Sequence, residues 1–204
     1  MMTTRLPNRL PRHLLLVVAL AAAVPAGASN RLIAAGGRVS IARTPLTVTP
    51  ASEWNRLGAR PGRNAEVWTL DGDTLNALTF YAAIGEGKTL FRQADRREHP
   101  LPPVNRTMLL TDIPTLLENS YRSALGVATM TIDHVEPTPF AGAGGVHFSY
   151  SFVRPEEAIH VRGEGFGTLR DGKLYLITYE APALYYFERS AAAARQVAES
   201  ARLD

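Results

Sequence analysis

The chain contains no cysteine. Disulfide bonds, thiolate catalysis and thiolate metal ligation are therefore excluded, and stability must come from a packed core alone. A lipid anchor of the bacterial lipoprotein kind is excluded too, because that attachment needs a cysteine immediately after the cleavage site. Lysine is almost absent: Lys88 and Lys173 are the only two, so arginine carries nearly all the positive charge. Long apolar runs are also missing. The run from Leu14 to Val24 is shorter than the ~18–20 residues that span a bilayer comfortably.

What that run does fit is an export signal. Arg5, Arg9 and Arg12 precede it with no acidic residue among them, and Pro25 and Ala26-Gly27-Ala28 follow it. A basic start, a short apolar stretch and an A-x-A site predict a secretory signal peptide over residues 1–28, cleaved between Ala28 and Ser29. The rival is an uncleaved anchor, and only in that case is a membrane a partner. The three leader arginines account for the whole excess of 22 Lys+Arg over 19 Asp+Glu. The mature chain is thus formally neutral, with no basic patch that predicts nucleic acid or an anionic membrane surface. Its 176 residues suffice for one well-buried core.

Residues 29–44 read as a lead-in, small and polar over 29–37, and 45–204 as one α/β domain; from Arg38 to Thr49, Val39, Ile41, Leu46 and Val48 predict extended chain interrupted by Pro45. Ser52–Leu57 reads as a turn or short helix that buries Trp54. Glu66–Leu70 and Leu75–Ala83 read as a hairpin around Asp71-Gly72-Asp73, with a further short strand at Thr89-Leu90-Phe91. Residues 92–107, charged and proline-rich, predict a long surface connection. Thr111-Asp112-Ile113-Pro114 opens a helix, Ile113, Leu116, Leu117, Tyr121 and Leu125 recur along one face, and Gly126 closes it. A meander of strands follows at about Ala128–Glu136, Val146–Val153, Ile159–Leu169 and Lys173–Tyr179. A last helix carries Phe187, Ala191, Ala194, Ala198 and Ala201 as its apolar stripe.

Loop lengths predict the register of that meander. The Asp171-Gly172 turn pairs Arg170 with Lys173. A turn within Arg154–Glu157 pairs His147 with Glu164, and the Pro137–Gly144 loop pairs His134 with His147. Phe148, Tyr150 and Phe152 then share a face with Gly163, Gly165 and Gly167, so these glycines serve packing.

This order of elements resembles a known group. Glu53-Trp54-Asn55, Glu66-Val67-Trp68-Thr69-Leu70-Asp71-Gly72 and the run Lys173–Pro182 are similar to those of PsbP-like proteins, which include small bacterial envelope proteins of DcrB type. The resemblance covers roughly residues 45–202. It implies an α+β fold, an antiparallel sheet meander packed by helices into an α/β/α sandwich. It also implies an exported, non-enzymatic accessory protein, periplasmic or secreted, that binds an envelope protein or a small ligand. It supplies no catalytic residue and no cofactor.

Three patterns invite chemistry. Gly85-Glu86-Gly87-Lys88-Thr89 looks like the end of a phosphate-binding loop, but the leading glycine is replaced by Ala82 and no helix pattern follows, so a turn between strands is expected. Gly163-x-Gly165-x-Gly167 has the wrong spacing for a dinucleotide fingerprint and lies within a strand. The third pattern is His134, His147 and Glu164, placed side by side across three strands with Tyr179 next. Two imidazoles and a carboxylate could bind a ligand or a divalent metal, or serve acid–base chemistry; the plainer alternative is a hydrogen-bonded sheet face. No metal is assigned to them, and no serine triad or His-Glu-x-x-His motif is present.

Overall fold

The computed structural model describes residues 29–204 apart from Glu156. The leader read at 1–28, including Ala28, lies outside the described residues; Ser29 is the first of them and is exposed. The elements run β1 (Arg31–Ile33), β2 (Val39–Ser40), β3 (Leu46–Val48), β4 (Trp54–Arg56), β5 (Ala65–Thr69), β6 (Ala77–Ile84), α1 (Ile113–Leu125), β7 (Met130–Pro137), β8 (Val146–Val153), β9 (His160–Arg170), β10 (Lys173–Pro182), α2 (Tyr186–Glu199) and β11 (Arg202–Leu203). Eight strands form one antiparallel sheet in the order β1-β4-β5-β6-β10-β9-β8-β7, and β11-β3-β2 form a small second sheet. Among the described residues no helix is long and apolar enough to cross a membrane.

The sheet is buried on both faces, and strand alternation divides it. Along β10, Leu174 and Leu176 turn toward α1, where Ile113, Leu116, Leu117 and Tyr121 meet Phe148, Tyr150 and Phe152. Tyr175, Ile177, Tyr179 and Ala181 turn the other way, toward Phe187, Ala191, Ala194 and Ala198 of α2 and toward Trp54, Trp68 and Phe80. The result is the expected α+β, helix–sheet–helix sandwich. Helix α1 begins with Pro114 in its first turn and stops at Gly126 in the left-handed conformation, as its sequence signals require.

Some local expectations are corrected. Within 29–37, read as a loose lead-in, β1 pairs with β4, while β2 and β3 fall in the extended stretch expected at 38–49 and pair with each other. Trp54 is buried as expected, but in a strand rather than a helix. Residues 89–91 form no strand, because the backbone there turns to bond the neighbouring loops: Arg92 N donates to Pro61 O and Val104 N to Lys88 O.

The register is right at one hairpin and shifted at two. Asp171 and Gly172 both have positive φ, as a tight two-residue turn demands, and Lys173 pairs with Arg170. The next hairpin uses a longer loop, closed by Arg154 N to Ile159 O, so Val153 pairs with His160 and Phe148 with Gly165. The first extends its loop to Gly145, with a bulge between Ile132 and His134, so Glu136 faces His147 and His134 faces Ser149. The β8–β9 shift is two residues, an even number, so the aromatics still share a face with the glycines. Gly163 and Gly165 lie beneath the rings of Tyr150 and Phe148; a Cβ there would stand 2.2 and 2.3 Å from ring carbons.

Candidate functional site

The structure brings His134, His147 and Glu164 into one row, although through partners the sequence reading did not name. Glu136 sits between the histidines: His147 Nδ1 is 2.9 Å from Glu136 Oε1, and His134 Nε2 is 3.4 Å from Glu136 Oε2. His147 Nε2 lies 3.8 Å from Glu164 Oε2, an ion-pair distance too long for a hydrogen bond. Arg195 of α2 grips Glu164 in a fork, Nε donating to Oε2 at 2.7 Å and Nη2 to Oε1. The His147 ring stacks on Phe166 with centroids 4.5 Å apart. Tyr179 pairs with Glu164 across β9 and β10, as the register predicted.

The electrostatics follow from these contacts. Burial pushes Glu164 up, but Arg195 and His147 outweigh it and hold the carboxyl at about 2. His147 is raised above its ordinary value by Glu164, against its own burial, and by Glu136. Among the described residues no three His, Asp or Glu side chains converge in a geometry that would hold a metal ion. Glu164, the most buried carboxylate of the row, has both oxygens engaged by Arg195.

A second region was not anticipated. The turn after β6, the loop before β5 and the long connection enclose a cleft of about 980 Å³. Arg60, Arg63, Lys88, Arg92 and Arg96 line it with one carboxylate, Glu86, and Glu86 is engaged by Arg106 at 3.3 Å. Arg60 reaches Glu66 only at 3.9 Å. Arg63, Lys88, Arg92 and Arg96 have no ion-pair partner among the described residues.

Backbone contacts hold these cations together. Gly62 passes so close to Leu90 that a Cβ would lie 2.2 Å from its carbonyl oxygen, which joins the Arg60–Arg63 loop to the segment bearing Arg92. Gln93 fastens the long connection: its side-chain amide donates to Asp95 O and His99 O, and its Oε1 accepts from Leu101 N. Asp95 Oδ1 accepts from Arg97 N and Glu98 N. Ala83, in the cleft wall, sits at φ 55 where β6 slips register against β10; a bulge with a strained residue is a common means of shaping a site. The Gly85–Thr89 segment is a turn, and its amides serve the fold: Gly87 N donates to Val104 O and Lys88 N to Gly85 O. The only sequence signal for this cleft was that segment together with arginine-rich stretches at 60–63 and 92–97. The cations come from three stretches whose proximity no local pattern shows.

No protein-family model matches the chain, and no curated protein matches it. It is similar to several solved structures. Cyanobacterial PsbP from Synechocystis is 16% identical, with a TM-score of 0.49, over 91% of this chain and 99% of that one. A Pseudomonas aeruginosa protein of unknown function is 13% identical, with a TM-score of 0.42, over 74% of this chain and 94% of that one. LpqN of Mycobacterium tuberculosis, involved in cell envelope biogenesis, is 9% identical, with a TM-score of 0.30, over 86% of this chain and 84% of that one. PsbP is the group the residue pattern resembled. The sandwich itself is defined by the topology above.

Proposed function

We propose that this chain is an exported, non-enzymatic accessory protein of the bacterial envelope that binds a small anionic ligand in its arginine-lined cleft. The observation that carries the reading is the collection of Arg60, Arg63, Lys88, Arg92 and Arg96 around one cavity with a single, already engaged, carboxylate. Gathering like charges without counter-charges is unfavourable for folding and is a usual mark of a site for the opposite charge. The mature chain is otherwise neutral, so the local excess is not a reflection of overall composition. Arginine forks suit carboxylate and phosphate groups. The leader supports export. The row of His134, His147 and Glu164 favours a structural part, since Glu136 holds both histidines and Arg195 occupies both oxygens of Glu164.

Citrate, a compact trianion, is the probe. It should bind with one-to-one stoichiometry in a calorimetric titration, and binding should weaken as salt shortens the screening length below about 8 Å. Arg63→Ala and Arg92→Ala should each reduce affinity roughly threefold or more. Absence of binding to the unaltered protein at low salt, or unchanged affinity in both variants, would contradict the reading.

A further inference from the structure

Beside the basic cleft, and sharing Arg60 and Phe91 with it, lies a smaller one of about 320 Å³ with a largely apolar lining. Its aromatic wall is Tyr81, Phe91 and Tyr121, packed edge to face with centroids 6.0 Å and 5.6 Å apart. Glu180, near the end of β10, is the acid at its floor. Tyr121 donates to Glu180 Oε2 at 2.8 Å and Tyr150 to the same oxygen at 3.4 Å. Glu180 Oε1 has no hydrogen-bond partner among the described residues, and Glu180 has no cation within ion-pair distance among them. Thr178, on the same face, is buried with its hydroxyl unpartnered.

A half-buried acid beside aromatic rings with no cation in ion-pair contact is costly to desolvate, and proteins ordinarily supply a counter-charge or a ligand. We propose that this cleft binds an organic ammonium group, which would sit against Glu180 Oε1 with its attached carbons against Phe91, the part-exposed ring of the wall. The floor supplies the charge, and the Phe91 ring supplies the cation–π attraction that favours an alkylammonium over a neutral group. The other charged groups near the cleft are Arg60 and Asp73 at its rim and Arg154, which acts on Glu180 from the β8–β9 loop. Burial pushes the Glu180 carboxyl up, against the hydrogen bonds from Tyr121 and Tyr150 and the charge of Arg154. An arriving ammonium therefore favours its ionised form and displaces a proton. Glu180 and its tyrosine partners lie outside the lining of the larger cleft, so their part does not require an anion bound there.

The probe is benzylammonium, with benzyl alcohol as its neutral counterpart, titrated into the full chain by calorimetry and followed by NMR. Benzylammonium should bind, with affinity rising with pH through the Glu180 titration, and benzyl alcohol should bind at least about tenfold more weakly. Glu180→Gln should abolish that preference. Tyr121→Phe, which keeps the ring and removes the hydroxyl donor, should shift the pH profile upward and so guards against a folding defect in the first variant. Three results overturn the proposal: no binding of benzylammonium, equal binding of the alcohol, or undiminished binding in Glu180→Gln.

Discussion

Replacing Gly165 by alanine tests the packing logic of the sheet. The new Cβ would lie 2.3 Å from Phe148 Cζ and 2.5 and 2.8 Å from its two Cε atoms. Carbon pairs at optimal contact stand about 3.5–4.0 Å apart, so the ring must retreat by more than an ångström. Phe148 is fully buried, and its ring lies 5.9 Å from that of Tyr150, which itself covers Gly163, so the row has no open side. Overpacking of this kind costs roughly 1–3 kcal/mol, and expulsion of the whole ring would cost about as much as a Phe→Ala change, ~3–5 kcal/mol. About 3 kcal/mol is the expected loss, or roughly 6–12 °C in melting temperature for a domain of this size. Urea unfolding followed by circular dichroism reads it directly. Gly144→Ala is the control: a Cβ there meets nothing within 4 Å, and its loss should stay within about 0.5 kcal/mol. In a Phe148→Leu background the Gly165→Ala penalty should shrink by at least about 1 kcal/mol, since the smaller side chain vacates the space. The reasoning is refuted if Gly165→Ala and Gly144→Ala unfold alike, or if the penalty persists unchanged in the Phe148→Leu background.

Other consequences can be measured on the same protein. The Glu164 carboxyl, held at about 2 against an ordinary 4.5, contributes stability that is complete above pH 4.5 and is lost as pH falls toward 2. The linkage amounts to at most about 3 kcal/mol, reduced in practice because the Arg195 side chain is 45% exposed; Glu164→Gln should flatten the acid limb of a stability–pH curve. His147, raised by Glu164, contributes stability that is complete below pH 6.5 and is lost as pH rises through its folded value. An NMR titration should therefore place its midpoint above 6.5, and Glu164→Gln should lower that midpoint more than Glu136→Gln, because Glu136 is half exposed. Gln93→Ala, which frees the connection bearing Arg92 and Arg96, should weaken citrate binding while leaving the melting temperature within roughly 4 °C.

The elements that were legible in the sequence are those fixed by short-range chemistry. Asp171-Gly172 admits one tight turn, and the β9–β10 register followed without error. Pro114 and Gly126 bracketed α1 for equally local reasons. The other two hairpins slipped because a loop of six or more residues does not state its own closing pair; only Arg154 N to Ile159 O and Thr138 N to Gly145 O decide it. The histidines and Glu164 stay in reach after the slip because Glu136 contacts both imidazoles and His147 reaches diagonally to Glu164, while Arg195, the partner of Glu164, lies on a helix that strand alternation says nothing about. The basic cleft was hidden for a related reason. Arg60 and Arg63, Lys88, and Arg92 and Arg96 meet only because Gly62 lies against Leu90, a contact with no periodic signature. Glu180 lies just past the strand expected at Lys173–Tyr179, and its contacts with the hydroxyls of Tyr121 and Tyr150 are a property of the assembled sandwich.

The most direct measurement is a map of amide and arginine side-chain NMR shifts on adding citrate at low salt. An anion site in the arginine-lined cleft predicts saturating shifts confined to Arg60–Asn64, Gly85–Thr89 and Arg92–Arg96, with His134, His147 and Glu180 unmoved. Shifts centred on the histidine row, or small unsaturable shifts spread over every exposed arginine, would contradict it.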